Sequence, residues 1–143
     1  MLKKGRVRQS KGSSIIGMIG GIIFILIVVT IIQPKAIVEN PELLNINRVV
    51  SYSNSEGTEI TESVDLDKLS DILSRFQHGR IPKSFAPYSL SEIRYEINGS
   101  YGRFDSLHIL LGDLNIAYES SEHGFEIKNS SMLLAEIDAL INP

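Results

Sequence analysis

The chain has no cysteine and no tryptophan, and only 7% of its 143 residues are aromatic. Without cysteine there is no disulfide staple, no thiolate ligand for a metal and no residue for lipoprotein processing. Acidic residues are missing from the first 38 positions. That absence argues against a type IV pilin leader, which carries a glutamate early in its apolar run. Signature motifs are missing too. There is no G-x-S-x-G, no S-x-x-K, no Walker A and no dinucleotide-type glycine pattern. His78, His108 and His123 stand alone, none three or four residues from another, so no metal ligation is expected. The length allows one domain with a modest core.

What is present is unevenly placed. The five charges before position 35 are all basic: Lys3, Lys4, Arg6, Arg8 and Lys11. From Lys35 onward nine basic residues face 17 acidic ones, a net charge of −8. An acidic body argues against nucleic-acid binding, which needs a basic face to neutralise phosphates. Between the two lie 23 uncharged residues, and Ile15–Ile32 is apolar apart from three glycines and Thr30. Eighteen helical residues rise about 27 Å, close to the hydrocarbon thickness of a bilayer. A soluble core helix would keep a polar stripe, and this segment has none.

The segment therefore reads as a transmembrane helix over 14–33. A cleaved signal is the competing reading, but its apolar region usually spans about 7–15 residues and ends at a small-x-small site. Here the run is longer and exits through Ile31-Ile32-Gln33-Pro34-Lys35-Ala36. The basic flank places residues 1–13 in the cytoplasm, as a short tail attracting anionic headgroups, and the rest outside the cell membrane. Ser13, Gly17 and Gly21 recur every four residues and form a candidate helix–helix contact for self-association. Residues 34–43, with Pro34 and Pro41, read as a stiff spacer.

From 44 onward the pattern predicts an α+β domain. Strands are expected at 46–53 and 58–62, with a turn at Asn54–Gly57. Leu66, Leu69, Ile72, Leu73 and Phe76 trace one face of a helix. Ser63 or Asp65 would cap it, Arg75 and His78 would suit its C-terminal dipole, and Gly79 would close it. Four alternating runs then predict a meander of strands around Ile93–Ile97, Leu107–Leu111, Leu114–Tyr118 and Phe125–Ile127. Their turns are expected at Asn98–Asp105, Gly112-Asp113 and Ser121–Gly124. A last helix is expected over Ser131–Ile141, capped by Asn129 or Ser130. The order ββ-α-ββββ-α describes one antiparallel sheet with two helices on one face and water on the other.

No catalytic residue and no cofactor site follow from this pattern, so the chain is not expected to be an enzyme. A small hydrolase whose site assembles only in three dimensions is the least favoured reading. Aromatics among prolines and basic residues, Phe85 and Tyr88, are candidate partner-binding residues, as are Tyr101, Arg103 and Phe104 at the tip of a hairpin. Asn98-Gly99-Ser100 and Asn129-Ser130-Ser131 match a glycosylation sequon and read, in a bacterial host, as turn and cap residues. The layout of basic tail, single span and compact acidic domain resembles small single-pass anchored extracytoplasmic domains of Gram-positive bacteria. The resemblance implies a surface location and transfers no catalytic residue. The expected function is a tethered binding domain for an envelope protein or wall polymer. The alternative is an assembly subunit acting through its transmembrane helix.

Overall fold

The computed structural model describes residues 11–82, 89–103, 105–119 and 123–142, with the side chains of 11–14, 119 and 123 left aside. The chain divides into two compact units, 1–33 and 34–143.

The described residues of the first unit form one helix, α1, over Lys11–Ile32. Thirteen large apolar side chains between Ile15 and Ile32 are 47–74% exposed. Thr30 donates its hydroxyl to the carbonyl of Leu26 at 2.8 Å, so this polar group is satisfied within the helix. By length and composition this helix suffices to cross a membrane.

The second unit is α+β, as the periodicity predicts. Short strands β1 (Lys35–Ala36) and β4 (Gln77–His78) pair with each other. The main sheet is antiparallel and contains β2 (Leu44–Ser53), β3 (Glu56–Glu59), β5 (Ile93–Tyr101), β6 (Asp105–Gly112), β7 (Asn115–Glu119) and β8 (His123–Glu126). Its order is β3-β2-β5-β6-β7-β8. Helices α2 (Leu66–Arg75) and α3 (Ser130–Ile141) cover one face. There Leu69, Ile72 and Leu73 of α2 and Leu133 and Ile137 of α3 meet Val49, Ile97, Ile109, Leu111 and Ala117 of the strands.

Local chemistry explains most boundaries. Asp65 caps α2 by accepting from the Lys68 amide at 3.1 Å. The Lys68 ammonium, 2.9 Å away, holds the Asp65 carboxyl below the usual range. Asn129 precedes α3 in the left-handed conformation, φ 52°, and its side chain makes no capping bond. At the sheet's edges, Glu56 and Glu59 guard β3. Part of β8 is extended by β4: the Gly79 amide donates to Glu126 and the Lys128 amide to Gln77, at 2.9 and 2.7 Å.

Four expectations are corrected. Residues 34–43 are not a spacer: Ile37 and Val38 are buried, the Ile37 amide donates to Phe76, and Ser70 donates its hydroxyl to the carbonyl of Pro41. Ala36-Ile37-Val38, between Pro34 and Pro41, is too short an apolar run to announce a buried segment. Helix α2 ends at Arg75, so Gly79 does not close it and His78 does not face its dipole. His78 is instead buried, with Nδ1 2.7 Å from the Gly79 carbonyl oxygen and its ring 5.1 Å from that of Phe125. Asn98–Ser100 lies inside β5 rather than in a turn. Finally, the second face of the sheet is not simply wet. Val50, Leu110 and Ile116 occupy one cross-strand row with Glu96 and are each at most 2% exposed. Successive buried residues such as Leu110 and Leu111 mark a strand packed on both faces.

Candidate functional site

The second face carries a polar row beside that apolar one. Register places Arg48, Asn98, His108 and Tyr118 side by side across β2, β5, β6 and β7. Alternation along each strand turns them away from the helices, because their neighbours Val49, Ile97, Ile109 and Ala117 belong to the core. A bulge between Ile46 and Arg48 inserts Asn47 as an extra, exposed residue at the same end.

Glu96 organises the row. Its carboxylate accepts from the Tyr52 hydroxyl at 2.7 Å and from Asn98 Nδ2 at 3.1 Å. His108 Nε2 lies 3.2 Å from Glu96 Oε1. That nitrogen is fully buried and lacks hydrogen-bond geometry to any acceptor, so the contact is charge attraction once the ring is protonated. The ring stacks on Tyr118 with centroids 5.6 Å apart. Burial pushes the Glu96 carboxyl up, but the bonds from Tyr52 and Asn98 and the charges of His108 and Arg48 outweigh it. The net shift is downward.

Beside this cluster runs a groove of about 550 Å³, lined by Asn47, Asn98, Ser100, Ser106, His108 and Tyr118, with Gly99 and Leu107 in its floor. A Cβ at Gly99 would come 2.9 Å from Leu44 Cδ1, the movable end of a side chain, and 3.3 Å from the Asn45 carbonyl oxygen. A carboxylate orients a general-base imidazole by accepting its ring N–H, and the Glu96 contact to His108 Nε2 lacks that hydrogen bond. Among the described residues no group of three metal-ligating side chains comes together.

The residues expected from sequence fall elsewhere. Tyr101 is half-buried at the end of β5 and lines a separate cleft of about 380 Å³ with Lys35, Glu39, Asn40 and Asp105. Arg103 is exposed at the adjoining tip, after Gly102 with φ 66°. Phe85, Tyr88 and Phe104 lie outside the described residues. Ser13, Gly17 and Gly21 lie on α1, where a Cβ at either glycine meets nothing within 4 Å. Glu96, Asn98, His108 and Tyr118 escaped the sequence reading. Their only signal was a run of polar residues at alternate positions of two strands, which reads equally as a solvated face.

Comparison with protein-family models, with curated proteins and with solved structures finds no match to the chain.

Proposed function

We propose that the chain is a membrane-tethered binding domain, with α1 as an uncleaved anchor, residues 1–13 in the cytoplasm and the α+β unit in the envelope outside. The observation that carries this reading is the bare apolar surface of α1. In water each large side chain would forgo roughly 1.5–3 kcal/mol of burial, and lipid removes that cost. The continuity of the chain supports an anchor over a cleaved signal. Lys35 and Ala36 form β1, and Ile37 and Val38 enter the core, so a cut after the helix has almost no slack. Orientation follows from five basic residues before the apolar run at Ile15 against Lys35 and Arg48 in the 20 positions after Ile32.

Binding to an envelope protein or wall polymer fits a domain that presents a groove on a rigid central sheet. Alkaline carbonate extraction tests the tether. The intact 15.9 kDa chain is expected in the membrane pellet. Release into the supernatant, or a shortened product lacking α1, would overturn it. A second reading, assembly through α1, draws on the open face at Gly17 and Gly21.

A further inference from the structure

We infer that the groove on the second sheet face takes an uncharged, hydroxyl-rich saccharide chain; this rests on the tethered-binding reading and names its ligand class. The lining decides the chemistry. Asn47 and Asn98 offer side-chain amides, Ser100 and Ser106 offer hydroxyls, and none carries a fixed charge. Amides and hydroxyls both donate and accept, which matches sugar hydroxyls that also do both. His108 and Tyr118 add a stacked pair of rings at one end, a surface for the apolar face of a sugar ring.

The nearby charges are already engaged. Glu96 is held by Tyr52, Asn98 and His108, and Arg48 lies 3.6 Å from Glu59. Among the described residues, an ionic ligand would meet no uncommitted counter-charge in the lining. A peptide added as an extra strand is disfavoured for another reason. The groove lies over β5 and β6, whose backbones are paired on both sides, and not at an edge. The lining is therefore complementary in charge and hydrogen bonding to a neutral polyol.

The test uses the full chain in lipid nanodiscs, titrated with a β-linked N-acetylglucosamine tetramer and with a glucose tetramer, read by saturation-transfer NMR. Binding of at least one tetramer is expected, weakened at least tenfold by Tyr118→Ala. Ser106→Tyr, at an exposed position outside the core, is expected to fill the groove and abolish binding while leaving the thermal melt unchanged. Asp71→Ala, on the exposed face of α2, should leave it intact. Failure of folded protein to bind either tetramer, or binding indifferent to Ser106→Tyr, overturns the inference. So does capture of a peptide in the groove in place of a saccharide. Each of these results leaves the tether standing, because membrane retention is read separately by carbonate extraction.

Discussion

Glu96 is a carboxylate placed among strands, and its worth to the fold depends on its partners. Its lowered pKa means that the folded state binds its proton less tightly than the unfolded chain does. The stabilisation is present above the ordinary value of 4.5 and is lost as pH falls through the lower folded value. Acid titration followed by circular dichroism should show stability declining below pH 4.5, with a flatter decline in Glu96→Gln. Tyr52→Phe removes the 2.7 Å bond and should cost about 1.5 kcal/mol in urea unfolding near neutrality. Tyr95 behaves in the opposite sense. Burial and its hydrogen bond to Asp138 raise the phenol pKa above 10. Its contribution is intact below pH 10 and is lost as pH rises through the higher folded value. Ultraviolet titration of the five tyrosines should therefore show one late-ionising group that disappears in Tyr95→Phe.

Among the elements, the helices were the most legible and the chain between them the least. Leu69, Ile72 and Leu73 form a stripe that only a helix explains, and Asp65 announces where it begins. Its end is less legible because Gly79 looks like a terminator. Tertiary hydrogen bonds from Gly79 and Lys128 instead flank Gln77 and His78, which form the strand β4. Ile37 and Val38 were hidden for a related reason, since two residues show no period. The site was less legible than the fold. Alternation told which residues share a face, but the register that sets Asn98 beside His108 and Tyr118 depends on bulges and turns. A test at this scale is Gly112, where φ is +155° and a Cβ would press on the backbone of Glu92 and Arg94. Gly112→Ala should lower stability by about 2–3 kcal/mol in chemical denaturation. In α1, replacing Gly17 and Gly21 with Ile should abolish a membrane two-hybrid self-association signal if the helix mediates assembly. An unchanged signal would dismiss that contact.

For the molecule as a whole, the proposed reading would give location to one apolar helix and recognition to one acidic domain. The absence of native cysteine makes the division directly measurable. Single cysteines at position 10, before α1, and at position 55, in the exposed turn between β2 and β3, can each be probed with a membrane-impermeant maleimide. In intact cells Ser55→Cys should label without lysis, whereas Ser10→Cys should label only after the membrane is opened. Labelling of position 10 in unbroken cells, or protection of position 55, would contradict the account.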